Sequence, residues 1–350
     1  MALEDGPVVA VDCNGADLGA SEVAAGAALA AAQGARVVLF GPARELGTPP
    51  PGVQVVDAPV SIAKAPDPVR AVRSTPEASI VQAATAVAAG EAQALVCAGS
   101  TGSALAAGIL NVKRASGIFR PALALPLPVP SHPVTLLDVG ANADARREHL
   151  VQFAFMGAAL AQAVLGVARP RVALLSNGNE PDRGSALVLE THAELAERIP
   201  GSDFFEFVGN VEGVDLVSGA ADVIVTDGFT GNIALKVMEG VSQATLSAIR
   251  SAAATSPVAQ AGGLLLRPAL RGFREEIDPE RQGGAYLLGL RRLGIVAHGR
   301  FTRQGFAQAI LRARLGATED LVGRTHAALE QAGALKVSPA SVARATVAGR

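Results

Sequence analysis

The pattern that most limits the fold of this chain is a short β-branched run that ends in a glycine-rich turn and continues as a helix. Its clearest instance is residues 221–240, where Val223–Val225 has the composition of a buried parallel strand. The following turn contains Asp227 and Asn232, and apolar residues at helical spacing come next. Ligands of open α/β sheets bind at such turns, and N–H groups at a helix start favour anions. This turn is therefore a candidate site.

The same pattern recurs along the chain and predicts an α/β fold of three layers, with a mostly parallel sheet covered by helices. The predicted strands are residues 7–12, 35–40, 53–56, 94–97, 134–139, 171–175, 204–208, 223–225 and 295–297. Residues 121–130 alternate prolines with apolar residues, which predicts an edge strand or an extended hairpin arm. Residues 58–68 are expected to be irregular, and residues 283–285 to lead into a helix.

We expect one large catalytic domain over residues 1–335, with a helical segment at about 252–280 and a frayed tail at 336–350. The helical segment carries five large apolar residues with arginines between them. These apolar residues are Leu264, Leu265, Leu266, Leu270 and Phe273. Such a segment either packs on a partner subunit, which predicts a homodimer, or contacts a membrane surface.

Composition excludes several classes of protein. The formal net charge of -2 provides no basic field for nucleic acid. The two cysteines, Cys13 and Cys97, end apolar runs and are expected to be small buried thiols without a disulfide. Neither a signal peptide nor an apolar run of membrane-spanning length is evident, so we expect a cytoplasmic protein.

Further polar, glycine-containing turns follow other predicted strands, at residues 98–103, 140–144 and 176–184. The sequence has no nucleophile elbow, no HExxH, no Cys/His cluster and no Walker lysine. We therefore expect neither a metal nor a cofactor. What remains is a set of N–H donors, Asn, Ser, Thr and Arg, which suits a phosphate that is bound and used directly.

Taken together, these turns resemble those of the bacterial phosphate acyltransferases, the acyl-carrier-protein:phosphate acyltransferases of phospholipid synthesis. The matching stretches are residues 12–17 (DCNGAD), 98–102 (AGSTG), 137–144 (LDVGANAD), 148–150 (EHL), 209–215 (GNVEGVD), 227–232 (DGFTGN), 283–285 (GGA) and 297–299 (AHG). They occur in the family's order between about residues 8 and 311. The resemblance implies an architecture like that of isocitrate dehydrogenase and phosphate acetyltransferase.

The activity implied by this resemblance is transfer of a fatty acyl group from acyl-carrier protein to inorganic phosphate, which gives acyl phosphate. Arg183 and the turn at residues 99–102 are the candidates to hold phosphate. Asn232, with N–H groups near Gly231, would stabilise the oxyanion, and Asp227 would orient a donor. The complete set of phosphate- or substrate-binding candidates is Gly15, Gly99, Ser100, Thr101, Gly102, Asn142, Asn210, Glu212, Gly231 and His298. His298 either binds or relays a proton, or is a structural histidine.

The chain departs from the family pattern in several turns. Asn14 stands where the family has Met, Ala16 where it has Gly, and Ser100 where it has Asn. In residues 176–185, Arg183 replaces a family lysine, which keeps the cation but is not an equivalent exchange. These changes predict a divergent member.

Three alternatives remain open at this stage. A phosphate acetyl- or butyryltransferase would use coenzyme A thioesters and would need an adenine pocket, whereas a carrier-protein enzyme would need a basic docking patch. A dehydrogenase of the isocitrate type would need a metal-binding Asp cluster. A non-catalytic scaffold of lipid synthesis would be compatible with the altered turns.

Overall fold

The computed structural model describes residues 6–129, 132–199, 203–276 and 278–336. Its strands are β1 (Val8–Asp12), β2 (Arg36–Gly41), β3 (Val53–Asp57), β4 (Ala94–Ala98), β5 (Ala122–Leu127), β6 (Val134–Leu137), β7 (Arg171–Leu175), β8 (Glu206–Val211), β9 (Val223–Val225), β10 (Ala285–Leu288) and β11 (Leu293–Ala297). Its helices are α1 (Ala20–Ala31), α2 (Ala43–Leu46), α3 (Pro68–Ser74), α4 (Ser79–Ala89), α5 (Thr101–Ala107), α6 (Arg147–Leu165), α7 (Ala186–Arg198), α8 (Gly228–Ala253), α9 (Pro257–Glu276), α10 (Arg303–Thr318) and α11 (Leu321–Gln331). The predicted tail, beyond Lys336, lies outside the described residues.

All of these strands belong to one sheet, in the order β3-β2-β1-β4-β11-β10-β5-β6-β9-β7-β8. The set β3-β2-β1-β4-β11 is parallel, and so is the set β6-β9-β7-β8. Between them, β10 is antiparallel to β11 and β5, and β5 is antiparallel to β6. The two parallel sets therefore run in opposite directions.

This reversal gives the sheet two ends at which turns follow parallel strands. We call the end formed by the carboxyl ends of β1, β4 and β11 the first rim, and the end formed by the carboxyl ends of β6, β7, β8 and β9 the second rim. Turns that follow strands of different sets thus lie at opposite ends of the sheet.

Helices cover both faces of the sheet, as the three-layer prediction requires. Along β1, Val9 and Val11 point into one apolar cluster, which also contains residues of α1, α6, α10 and α11. Ala10, between them, points into a second cluster formed with α4 and α5. This alternation is the period-2 pattern of a strand buried on both faces. The predicted fold class is confirmed.

The helix α6 is long and apolar enough to cross a membrane, but 78% of that window is buried inside the fold. Phe153, Phe155 and Met156 on this helix are almost fully buried. It is thus a core helix that packs on the sheet.

The prediction for residues 121–130 is half right. As an edge strand it is wrong, because β5 pairs with β10 through Ala122, Leu123 and Ala124 and with β6 on its other side. As a hairpin arm it is right, since β5 and β6 are antiparallel neighbours. Pro126 is tolerated because it lies beyond the last residue paired to β10, where no ladder N–H is needed on that side.

One further prediction of local structure is wrong. Ala285 begins the strand β10 and not a helix, because the run pairs with β11 and β5 on both sides. The irregular segment predicted at residues 58–68 is confirmed, since residues 58–67 contain only an isolated bridge between Val60 and Ala78. The helix α3 begins at Pro68, after the N-cap Asp67, whose side chain accepts a hydrogen bond from the N–H of Arg70.

The helices α8 and α9 account for the predicted helical segment. The buried residues of α8 are Gly228 and Gly231, both in its first turn, so the rest of this helix extends along the surface. The helix α9 contains Pro268 in its interior. The side chains of Leu270 and Phe273 lie outside the described residues.

Candidate active site

The predicted site residues fall into two groups at the two rims of the sheet. Those of the first rim are Gly15, Gly99, Ser100, Thr101, Gly102 and His298. Those of the second rim are Asn142, Arg183, Asn210, Glu212, Asp227, Gly231 and Asn232. Among the described residues, hydrogen bonds join turns within a rim and none joins the two groups.

At the first rim, three glycine backbones meet closely. A Cβ built on Gly15 would lie 2.8 Å from the carbonyl oxygen of Ala98, and one on Gly99 would lie 2.7 Å from that of Gly15. The Gly99 Cβ would also lie 3.0 Å from the Cα of Gly299. The N–H of Asp17 donates to the carbonyl of Gly299 at 2.7 Å, which ties the turns after β1 and β11 together. No side chain fits at this junction.

The start of α5 leaves N–H groups available at the same rim. Ser100 is the N-cap, and its hydroxyl is engaged by Ser103, which it donates to at 2.9 Å and accepts from at 3.4 Å. Thr101 and Gly102 are exposed, and no acceptor within the described part of the chain takes their N–H groups. Such exposed N–H groups at a helix start suit an anion.

Two side chains that can carry a positive charge flank this turn. His298 is exposed, and its Nδ1 accepts a hydrogen bond from the N–H of Arg300 at 3.2 Å, which leaves Nε2 free for a ligand. Lys64 was not a sequence candidate. It follows Ala63, whose Cβ would lie 3.1 Å from a Cβ at Gly15, and it is exposed. No motif marks Lys64, because its position depends on the packing of an irregular loop.

Beneath this turn lies a buried carboxyl group, Asp12. It accepts hydrogen bonds from Ser79 Oγ at 2.5 Å, the N–H of Asn14 at 3.2 Å and Cys97 Sγ at 3.5 Å. Burial raises the pKa of Asp12 to about 6, although these donors oppose the shift. Asn14, one of the departures from the family pattern, donates to Ser79 Oγ and to the Ala58 carbonyl, so its amide serves the packing of this turn.

At the second rim, Asp138 organises the turn after β6. Its carboxylate accepts hydrogen bonds from the N–H groups of Leu123, Gly140, Ala141 and Asn142 and from Asn142 Nδ2. Burial raises the pKa of this carboxyl group above its usual range, although the hydrogen-bond donors oppose the shift. Asn142 also donates from Nδ2 to the Pro121 carbonyl at 2.7 Å and is buried. It is thus a structural residue of the turn.

The first turn of α8 packs directly on this carboxylate turn. The N–H of Gly228 donates to the Asn142 carbonyl at 2.8 Å. A Cβ on Gly231 would lie 2.0 Å from the Asp138 carbonyl oxygen, so no side chain is possible there. Asn232, the next residue, is exposed, and its amide lies near Gly140.

The expectation of free N–H groups at the start of α8 is wrong. Asp227 Oδ1 accepts from the N–H groups of Phe229 and Thr230, and Oδ2 accepts from the Thr230 hydroxyl at 2.7 Å. The N–H of Gly231 donates to the Asp227 carbonyl. Asp227 is therefore the N-cap of α8. In this turn, the Asn232 side chain remains available to bind an oxyanion.

The loop after β7 is fastened by Asn210. Its Nδ2 donates to the carbonyls of Glu180 and Arg183, and its Oδ1 lies 3.0 Å from His192 Nδ1. Arg183 itself is exposed, with Nε 3.9 Å from Glu180 Oε2. The N–H of Glu212 is bound by Asp215 at 2.9 Å. Of Asn210, Glu212 and Arg183, it is Arg183 whose side chain is exposed to solvent, with Glu180 as a nearby counter-ion.

The structure does not bring Arg183 and the turn at residues 99–102 together within one chain, because they belong to opposite rims. A single cleft containing both, as the sequence suggested, is not formed by one copy of the chain. Within the described ranges, no three His, Cys, Asp or Glu side chains come close enough to hold a metal ion.

Comparison with known proteins gives consistent relatives. The family model described as fatty acid synthesis protein matches residues 8–324. The phosphate acyltransferase of Anoxybacillus flavithermus is 40% identical over 90% of this chain and 96% of its own length. That of Geobacillus thermodenitrificans is 38% identical over 92% and 99%. That of Thermobifida fusca is 49% identical over 56% of this chain and 54% of the relative.

Solved structures share the fold at low sequence identity. A phosphotransacetylase from Streptococcus pyogenes superposes with a TM-score of 0.61 at 15% identity, covering 89% of this chain and 94% of the other. EutD phosphotransacetylase from Staphylococcus aureus gives 0.58 at 16% identity with the same coverage. The chain therefore belongs to the fatty acid synthesis protein family and is an acyltransferase related to the bacterial phosphate acyltransferases.

Proposed function

We propose that this chain transfers a fatty acyl group from acyl-carrier protein to inorganic phosphate, giving acyl phosphate for phospholipid synthesis. The observation that carries the proposal is the first-rim turn. There the exposed N–H groups of Thr101 and Gly102 lie beside glycine backbones that admit no side chain. A compact oxyanion fits such a turn, and His298 and Lys64 border it.

The reaction does not require a strong base from the protein. An oxygen of phosphate attacks the carbonyl carbon of the thioester, the carbon–sulfur bond breaks as the intermediate collapses, and the carrier's thiolate leaves and takes up a proton. Phosphate is already a dianion in part near neutral pH, so positioning contributes most. Asn232 would donate to the oxyanion, Arg183 would bind phosphate charge, and Asp227 would hold the first turn of α8 in place for Asn232.

These roles require groups from both rims, and a homodimer offers a route to combine them. On α8, which starts at the second rim, four large apolar residues form one exposed stripe at intervals of four. They are Phe229, Ile233, Val237 and Val241, with exposed fractions of 62%, 47%, 57% and 60%. We propose that this stripe packs on a second copy of the chain, so that the second rim of one protomer faces its partner.

We also propose a cytoplasmic protein that contacts the membrane peripherally through α9. Val258 and Leu265 on this helix are each 83% exposed, and Leu264 and Leu266 are exposed beside them. Arg267 and Arg271 on the same helix are exposed as well. Apolar and cationic side chains on one surface helix suit the interface of an anionic bilayer.

The direct test is phosphate-dependent release of free carrier thiol from acyl-carrier protein loaded with fatty acyl chains of several lengths. We expect Asn232→Ala to lower kcat by roughly 100-fold and His298→Ala to raise the KM for phosphate. Gln33→Ala, at an exposed helix end, serves as a neutral control.

Unchanged rates in both Asn232→Ala and Arg183→Ala would overturn the second-rim assignment. Absence of acyl phosphate at every chain length would overturn the activity itself. Faster turnover of a coenzyme A thioester than of the carrier thioester would favour the acetyl- or butyryltransferase alternative.

A further inference from the structure

Outside the candidate site, one part of the surface carries an uncompensated positive charge. We call it the basic patch and define it by Lys113, Arg114, Arg120, Arg291, Arg292 and Lys336. All six side chains are exposed. The segments that supply them, residues 113–120, 289–292 and 334–336, contain no Asp or Glu, in a chain whose formal net charge is -2.

The three segments form one surface because their backbones are joined. The N–H of Arg291 donates to the Lys113 carbonyl at 2.9 Å, and that of Ala115 donates to the Gly289 carbonyl at 3.0 Å. The N–H of Lys336 donates to the Gly117 carbonyl at 2.8 Å. Cations from the loop before β5, the turn after β10 and the end of the described chain are thus brought together.

A buried amide beneath the patch locks this arrangement. Gln152, on α6, is fully buried. Its Oε1 accepts from the N–H of Phe119 at 2.9 Å, and its Nε2 donates to the carbonyls of Gly117 and Ala334 at 2.9 and 2.8 Å. Lys336 Nζ lies 5.9 Å from the centre of the Phe119 ring. The patch is therefore held in place before any partner binds.

No carboxylate within the described part of the chain pairs with these six cations. Arg114 donates to the Phe119 and Ile118 carbonyls, while the side chains of Lys113, Arg291 and Arg292 make no hydrogen bond to described residues. A basic surface that no described carboxylate neutralises is suited to an external acidic partner.

The patch adjoins the second rim. Arg120 precedes Pro121, whose carbonyl accepts from Asn142 Nδ2 at 2.7 Å. Burial lowers the pKa of His149, Glu148 opposes the shift, and the charges of Arg120 and Arg146 add to it, so both guanidinium groups lie near this ring. Arg120 thus connects the patch to the turn that supports Asn232.

We propose that the basic patch is the docking surface for the acidic carrier protein that presents the acyl thioester to the second rim. This inference rests on the proposed function, and it adds the surface at which that donor binds. An anionic membrane is the less suitable occupant, because the patch segments contribute none of the large exposed apolar side chains of the described surface. The exposed apolar side chains that suit contact with lipid lie on α9 instead.

The test compares two thioester donors of the same acyl chain, an acidic acyl carrier protein and a carrier-free acyl pantetheine. The double variant Arg291→Glu/Arg292→Glu is informative because neither side chain makes a hydrogen bond or an ion pair with described residues. We expect its KM for the carrier donor to rise at least about tenfold, with kinetics for acyl pantetheine unchanged. The increase of the wild-type KM with salt should become weaker in the variant.

The matched control is Arg44→Glu/Arg169→Glu, which makes the same change in net charge at exposed positions away from the patch. The docking proposal is overturned if both double variants behave alike, if the patch variant loses activity with both donors, or if it loses binding to anionic vesicles but keeps its KM for the carrier. A wild-type protein that turns over neither donor would instead count against the proposed function.

Discussion

Asp12 is a carboxyl group whose hydrogen-bond donors are all neutral. Ser79, Asn14 and Cys97 surround it beneath the first-rim turn. Its position immediately after a buried strand was visible in the sequence, but the desolvation that raises its pKa was not, because that depends on the packing of α4 over β1. The group therefore makes stability depend on pH in a way that a surface carboxylate would not.

The first prediction concerns this titration. The pKa of Asp12 is about 6 in the folded chain, against its ordinary value of 3.8. The folded state thus binds the proton more tightly, so this stabilising contribution is fully present below about pH 4 and is lost as the pH rises through about 6. Relative to an Asp12→Asn variant, the wild type should lose about 2 kcal/mol of unfolding free energy between pH 4 and pH 7.

Urea denaturation of the two proteins at intervals of half a pH unit checks this. Asp138, whose pKa burial also raises, is present in both proteins, so its titration cancels in the difference. Parallel stability curves for the wild type and the variant would show that Asp12 does not titrate in this range.

Single residues also show how far sequence reasoning reached at the candidate site. The motif positions were found, yet Asn142, Asn210, Glu212 and Asp227 proved to be engaged in hydrogen bonds within the chain, those of Asn142 and Asn210 partly with distant segments. A motif gives the residue type, whereas the partner that consumes its hydrogen bonds comes from elsewhere in the chain. Asn232, Arg183 and His298 remain exposed and available.

At the scale of elements, the position of α8 depends on how closely its first turn approaches the turn after β6. Gly228 and Gly231 provide the contact, and the Asp138 carbonyl fills the space where a side chain would be. The helix start is therefore fixed by backbone packing as well as by its cap.

The second prediction uses two glycines of this same helix. Gly231→Ala should destabilise the protein by about 3 kcal/mol and reduce acyl transfer, because its methyl group cannot fit without displacing α8. Gly240→Ala meets nothing within 4 Å and should be neutral or stabilise by up to about 1 kcal/mol. Thermal unfolding and thioester assays of both variants check this, and equal effects would contradict the packing argument.

Strands were predicted well where an apolar run stands between turn residues and poorly where pairing with distant strands decides. Strands such as β7 and β9 were found with their observed bounds, since an apolar run bounded by turns is local information. The strand β10 has four residues and becomes a strand because β11 and β5 both pair with it. Pairing partners distant in sequence are not encoded in a local pattern.

At the scale of the whole molecule, the reversal of strand direction at β10 and β5 decides which predicted site residues lie at the same end of the sheet. The sequence showed successive strand–turn–helix units and suggested a single site, but it did not show that the two parallel sets run in opposite directions. Strand direction is a property of the whole sheet. The proposed homodimer is the level at which the two rims are expected to cooperate.

The third prediction tests that assembly. Val237→Glu/Val241→Glu places two charges on the exposed stripe of α8 and should convert the dimer to a monomer, because unpaired charges in an interface are costly. Val258→Glu/Leu265→Glu makes the same kind of change at exposed positions of α9, outside the stripe, and should leave the dimer intact. Analytical ultracentrifugation measures both masses. A wild-type monomer, or dimers in both variants, would contradict the proposed interface.

The cap of α8 has a consequence for any anion in solution. Asp227 is a carboxylate only two and three residues from the N–H groups it accepts from, so its effective concentration there exceeds that of any free competitor. The helix start that most resembles a phosphate site in the sequence is thus already occupied by the carboxylate of Asp227. At the start of α5, the cap is a neutral serine, and added phosphate or sulfate meets no such rival.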